Sequence, residues 1–130
     1  KRVIGLPGDR LRIDKPGDLP GQVLLQPGGT GPWFEVRNPA WERNWNSLAS
    51  SCCTPEGRIT NRAATVTVPA GMVFLLGDNP ATSEDSRMHG WAPENLIKSI
   101  VQWRILPVGR MGTITNGVRL VPAPAPAPAG

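Results

Sequence analysis

Short apolar runs, cut repeatedly by Gly and Pro, set the pattern of this chain. Val3, Ile4 and Leu6 form the first run, and Pro7-Gly8-Asp9 end it; the reading is a strand followed by a tight turn. In Arg10–Asp14, Leu11 and Ile13 alternate with charges, as in a half-buried strand. Val23–Gln26 and Trp33–Val36 are two further short runs between Pro/Gly turns. Ala64–Pro69 (ATVTVP) alternates strictly and predicts a strand, and Met72–Leu76 is a continuous apolar run suited to a strand buried on both faces. In Ile97–Leu106, Ile97, Val101, Trp103 and Ile105 share one parity against Lys98, Gln102 and Arg104, which predicts a long strand with one wetter face. Gly117–Val121 reads as a last strand.

Two segments depart from this period. In residues 38–50 (NPAWERNWNSLAS), Asn38 suits an N-cap and Pro39 the first helical position. Trp41, Trp45, Leu48 and Ala49 then fall on one face of a short helix, which is expected to pack on a sheet rather than to present tryptophans to a membrane. From Pro122 the chain alternates Pro and Ala, so every second residue lacks an N–H. An extended, polyproline-like tail outside the core is expected for 122–130.

Composition changes this picture little. The 130 residues fit one modest domain, and Gly and Pro contribute 15 each, leaving few windows for helices. The fold class is therefore all-β. The formal charge of +4 is spread along the chain with no basic run and no aromatic interleaving, a pattern of solvated surface that does not suggest nucleic acid as a partner. No apolar stretch approaches the roughly 18–20 residues a membrane span needs. The chain starts without Met, so further sequence is expected upstream of Lys1. Cys52 and Cys53 are adjacent, and two thiols, or pairing with another chain, are expected over a strained ring between neighbours. With His89 the single histidine, neither a metal nor any other cofactor is expected.

The chemistry concentrates in Leu75–Pro93 (LLGDNPATSEDSRMHGWAP). A buried strand ends at Gly77, and Asp78, Asn79, Ser83, Glu84, Asp85, Ser86 and Arg87 follow within one loop. Functional groups gather on loops held by a rigid strand. The same residues also suit a well-capped loop with no further role, because Asp and Asn bond nearby backbone amides and Asp85 can pair with Arg87 across a tight turn.

Together, KRVIGLPGDRLRI and VFLLGDNPATSEDSRMHG, in this order around a Gly/Pro-rich insert, resemble two signature boxes of type I signal peptidases (leader peptidases). The resemblance covers Lys1–Ile13 and about Val68–Val101. It leaves an insert at about 14–63 within a catalytic domain spanning 1–121, with 122–130 as the tail. It implies a complex β-fold of mainly antiparallel sheets with at most one or two short helices. It also implies a Ser/Lys endopeptidase that removes signal peptides from exported preproteins. A lysine, ordinarily protonated below about pH 10.4, acts as a base only when desolvation lowers its pKa.

The resemblance gives Lys1 that role, with Val3, Ile4 and Leu6 as dry surroundings. Ser83 matches the serine that orients the lysine, since a hydroxyl can accept from an ammonium and donate to an amine. Asp85 and Arg87 match a structural ion pair that Arg2 can join. Gly77, Asp78 and Asn79 match the turn that delivers Ser83, and Ser86 belongs to the same box. The family's nucleophilic serine matches none in this chain and is expected upstream, beside a membrane anchor, so 1–130 alone is expected to be inactive. The implied partner is a preprotein bound as an extended strand through an A-x-A-like site, at a cell membrane on its non-cytoplasmic side. Pro80-Ala81-Thr82, Trp91-Ala92-Pro93 and Lys98-Ser99 depart from the family pattern. Alternatives are a related Ser/Lys processing peptidase of conjugation or organelle inner membranes, a non-catalytic peptide-binding β-domain, and, more remotely, a basic lipid- or nucleic-acid-binding domain.

Overall fold

A computed structural model describes residues 1–15, 21–42, 51–79, 82–114 and 117–128. Among these residues every strand pairing is antiparallel, and the two α-helices are single turns. The strands are β1 (Arg2–Gly5), β2 (Arg10–Asp14), β3 (Gln22–Gln26), β4 (Trp33–Arg37), β5 (Ser51–Cys52), β6 (Ile59–Thr60), β7 (Val66–Thr67), β8 (Met72–Leu76), β9 (Ala92–Pro93), β10 (Trp103–Arg104), β11 (Gly112–Thr113) and β12 (Arg119–Ala123). The helices are α1 (Pro39–Glu42) and α2 (Ser86–His89). The all-β expectation holds.

The larger sheet runs β12-β4-β3-β2-β5-β6, with β7 also on β2. Its centre follows from the alternation in β2. Leu11 lies opposite Leu25 and Ile13 opposite Val23, placing four apolar side chains on one face. All four are buried, while Arg10 between the strand and its turn is exposed. Val36, Trp41, Val68, Phe74 and Leu76 complete the same core. A second sheet, β1-β8-β9, covers it. In β8, Val73, Phe74 and Leu76 are buried and Met72 and Leu75 only half-buried, so the strand is less enclosed than its composition predicts.

The Pro7-Gly8-Asp9 turn links the two sheets. Gly8 takes φ +89°, a left-handed conformation that glycine adopts without cost. Asp9 is buried and accepts from the Leu6 and Gly28 amides, both at 2.8 Å. Gly5 sits at a register shift between Val3 and Gly5, where a Cβ would lie 3.0 Å from Val68 Cγ2.

Three expectations need correction. Ile97–Leu106 is not a long strand. Only Trp103–Arg104 pairs, with Gly112–Thr113, and Ile97, Ile100, Val101, Trp103, Ile105 and Leu106 are all exposed. Alternation makes a strand only where a neighbour and a covering face exist, and the described residues supply a neighbour at Trp103–Arg104 alone. Cys52 and Cys53 form a disulfide with each other rather than two thiols. Adjacent strand residues normally point to opposite faces, but here the two Cα atoms lie 3.0 Å apart and both residues are buried. Finally, β12 extends to Ala123 and pairs with β4, so the start of the Pro/Ala segment is part of a sheet rather than free of it. Edge position tolerates its prolines. The predicted helix is described only as far as Pro39–Glu42; Trp45, Leu48 and Ala49 lie outside the described residues.

Candidate functional site

The site grows from the β1–β8 pair. Arg2 lies opposite Leu76, so the chain leaves β8 at Gly77 next to the first residues of β1. Asp78 then meets Arg2 in a two-pronged ion pair, Nε to Oδ1 at 2.6 Å and Nη2 to Oδ2 at 3.1 Å. Asn38 adds a bond from Nδ2 to Asp78 Oδ1 at 3.2 Å. Arg2 thus binds Asp78 at the end of β8. Its guanidinium, against partial burial, holds the Asp78 carboxyl below its usual pKa range, with Asn38 contributing.

The loop returns to the same point. The Ser83 amide donates to Asn79 O at 3.0 Å, and Lys1 Nζ donates to Ser83 Oγ at 3.0 Å across 82 residues of sequence. Gly77 is what permits this approach: a Cβ there would overlap Ser83 Oγ and crowd Ser83 Cβ. The structure therefore brings together Lys1, Ser83 and Gly77, with Asp78 and Asn79 forming the turn.

Behind Ser83 the loop is locked by Asp85. Its carboxylate accepts from the Gly77 amide at 3.0 Å and the Arg87 amide at 3.1 Å. It is also gripped by Arg87 through Nε at 3.0 Å and Nη2 at 2.9 Å. Asp85 is thereby the N-cap of α2 as well as an ion-pair partner. Burial is the largest influence on Asp85 and raises its pKa; the Arg87 and Gly77 bonds, with a side-chain bond from Ser83, outweigh it and leave the pKa lowered. Ser86 Oγ accepts the Leu75 amide at 2.8 Å, fastening α2 to β8.

Two supporting residues were read from the sequence as helix positions and not as parts of the site. Asn38 caps α1 as expected, accepting from the Ala40 amide at 3.1 Å, but its amide also reaches Asp78. Trp41, buried in the core, donates from Nε1 to Gly77 O at 2.9 Å. The signal was present only in part: Asn38-Pro39 marks a helix start, and nothing local says what lies 40 residues away.

The dry wall expected around Lys1 is incomplete. Ile4 is buried, but Val3 is 42% and Leu6 55% exposed, and Lys1 itself is exposed. The reason is topological. β1 ends its sheet, and among the described residues no strand covers its outer side. Among the described residues no helix is long and apolar enough to cross a membrane.

The family described as signal peptidase, peptidase S26, matches residues 1–106. Signal peptidase I of Streptococcus pneumoniae is 32% identical over 130 residues, covering 87% of this chain and 63% of the relative. Signal peptidase I of Bacillus caldolyticus is 32% identical over 107 residues, covering 82% and 53%. Subunit 1b of the mitochondrial ATP-independent inner membrane protease of Arabidopsis thaliana is 38% identical over 55 residues, covering 42% and 32%. No solved structure matches. The chain thus spans between about half and two-thirds of the length of the signal peptidases it matches. A match over residues 1–106, holding both the lysine end and the Ser83 loop, places this chain in the signal peptidase family, peptidase S26.

Proposed function

We propose that this chain is the base-bearing part of a Ser/Lys endopeptidase that removes signal peptides from exported preproteins. The observation that carries the reading is the 3.0 Å bond between Lys1 Nζ and Ser83 Oγ in a chain of this family. In the proposal Lys1 is the general base and Ser83 orients it. Asp85, bonded to the Gly77 amide and to Arg87, holds the turn that carries Ser83 to Lys1. Arg2, Gly77, Asp78, Asn79, Ser86 and Arg87 hold the turn and position the pair.

The nucleophile is a serine supplied by sequence N-terminal to Lys1. Its hydroxyl attacks the scissile carbonyl while the Lys1 amine takes the proton. The tetrahedral intermediate collapses as that proton passes to the leaving amine, and water then cleaves the acyl-enzyme. The open side of β1, with Val3 and Leu6 exposed, suits two roles: covering by that N-terminal sequence and addition of an extended substrate strand. Either would dry the lysine. Small residues at an A-x-A-like site fit shallow pockets on such a surface. The reaction belongs at a membrane, on its non-cytoplasmic side.

The test is preprotein cleavage by the chain joined to its N-terminal flanking sequence. Cleavage after the A-x-A site is expected for that protein, none for residues 1–130 alone, and a loss of at least about 10³-fold for Lys1→Met, in line with removing a general base. Unchanged cleavage in Lys1→Met overturns the role given to Lys1. A second reading, a processing peptidase of mitochondrial inner-membrane type, draws on the 38% identity over 55 residues to the Arabidopsis subunit. It changes the substrate and not the chemistry, and a panel of preproteins from both classes separates the two.

A further inference from the structure

We propose that the edge of β4, with the cleft beside it, is a binding surface for an extended peptide bearing proline at every second position. Its occupant is the chain's own C-terminal segment, residues 119–128, held as a strap that closes the sheet. The inference is independent of the peptidase reading.

Three observations carry it. First, β12 pairs with β4 over five consecutive positions, from Arg119 opposite Arg37 to Ala123 opposite Trp33. In an antiparallel pair one parity of residues makes the bonds to the neighbour and the other parity faces away. Pro122 has no N–H, so the donors to β4 come from Arg119, Val121 and Ala123. Leu120 and Pro122 take the outward parity, and the strand ends at Ala123, before the further prolines of the tail. An edge strand normally offers a row of N–H groups to any passing strand. This one presents proline there instead.

Second, the segment is held beyond the ladder. Arg12 Nη1 donates to Ala127 O at 2.8 Å. With the tail in place the Arg12 side chain is 11% exposed, and its Nη2 is tied to Asp14 at 2.9 Å, so the guanidinium bridges the sheet and the tail. A charged donor on a carbonyl is among the stronger hydrogen bonds. Third, the tail and the sheet enclose a cleft of about 490 Å³, bounded by Arg10, Trp33, Ala64 and Thr65 on one side and residues 125–128 on the other. On the sheet side the Arg10 guanidinium lies 5.7 Å from the Trp33 ring centroid and bonds Gln26 at 3.2 Å. An aromatic floor beside hydrogen-bond donors is the chemistry by which grooves take polyproline-like segments, which lose little entropy on binding.

Parity makes the proposal testable in the full chain. Leu120→Pro, on the outward parity, is expected to leave hydrogen exchange in residues 33–37 unchanged. Val121→Pro removes a donor to β4, and exchange there is expected to rise at least about 10-fold, with self-association through the uncovered edge. A synthetic peptide of residues 119–128 added to the Val121→Pro chain is expected to restore slow exchange. Equal effects of the two prolines, or failure of the peptide to restore protection while β1 and β8 exchange slowly, overturns the proposal. If Val121→Pro unfolds the whole chain, Arg12→Ala decides. Order parameters at Ala125 and Ala127 are then expected to fall below about 0.6, the flexible range, with β4 protection kept; unchanged order at Ala127 overturns it.

Discussion

The loop 77–90 and the segment 97–111 invert each other. The loop is polar, yet its charged centre is enclosed: Asp85 is 4%, Ser86 3% and Arg87 5% exposed. The segment is apolar and open: Ile100 is 82%, Ile105 69% and Leu106 70% exposed. Hydrophobic content does not decide which of the two is enclosed; the fate of the backbone does. In the loop, side chains take up amides that no strand reaches: Gly77 and Arg87 bond Asp85, and Leu75 bonds Ser86. In the segment the ladder is two residues long, and the other backbone bonds are one from Ile114 to Gln102 O and the local turns closed by the Ile97, Arg110 and Met111 amides. The order of this site therefore rests on charged hydrogen bonds laid against a strand end, more than on apolar burial.

The strongest way to break that contrast is to remove Asp85. Its side chain has no exposure and that of Arg87 only 6%, so Asp85→Ala takes the carboxylate from a buried guanidinium and the acceptor from two amides. Breaking such a pair costs about 3–5 kcal/mol, to be read from urea unfolding. The same pair sets an acid limit. The folded-state pKa of Asp85 is lowered, as is that of Asp78. A depressed carboxylate contributes stability that is fully present above its unfolded value, about 3.9, and lost as pH falls through the folded value. Unfolding free energy is thus expected to decline as pH drops below about 4, and Asp85→Ala should flatten that decline. An equal acid slope in the variant would move the effect to other carboxylates.

A smaller effect is expected at Gly77, where size and not charge is at stake. Gly77→Ala places a methyl where Ser83 Oγ sits, with Asp85 Oδ2 3.6 Å away. Overpacking of this kind costs about 1–3 kcal/mol. Ser83 has to swing away, so the Lys1–Ser83 bond is lost while the Asp85–Arg87 pair stays. In the peptidase assay a displacement of about 1 Å is worth on the order of 10²-fold in rate. A fall in kcat with KM held marks a positioning effect; a change in KM alone would assign Gly77 to substrate binding.

These residues also show what could be read from the chain. Leu11 and Ile13 announced β2 by alternation, and the register delivers them to Leu25 and Val23 as that pattern requires. The Asp85–Arg87 spacing announced a turn, because both partners lie within one helical turn. What escaped was set by distance and topology. The partner of Arg2 depends on where β8 ends, and Trp41 reaches Gly77 O across 36 residues. The outer position of β1, which leaves Val3 and Leu6 open, is a property of strand order that no local period carries. Ile97–Leu106 misled for a related reason: period fixes which face a residue takes, and only a neighbour makes the face matter.

The smallest expected effect sits on that last segment and is the sharpest test of the contrast. Ile13 and Ile100 are the same residue type at opposite ends of exposure, 0% and 82%. Burying such a side chain is worth about 1.5–3 kcal/mol relative to leaving it in water, so Ile13→Ala is set to lose about 2–5 kcal/mol once the cavity is included. Ile100→Ser together with Ile105→Ser has almost no burial to lose and should change stability by no more than about 0.5 kcal/mol. Removing exposed apolar surface should also raise solubility. A loss above about 1.5 kcal/mol in the double variant would mean that the 97–111 segment packs in the folded chain. The ladder of two residues would then be only part of what holds it, and the polar loop would lose its claim to be the better-ordered half of the pair.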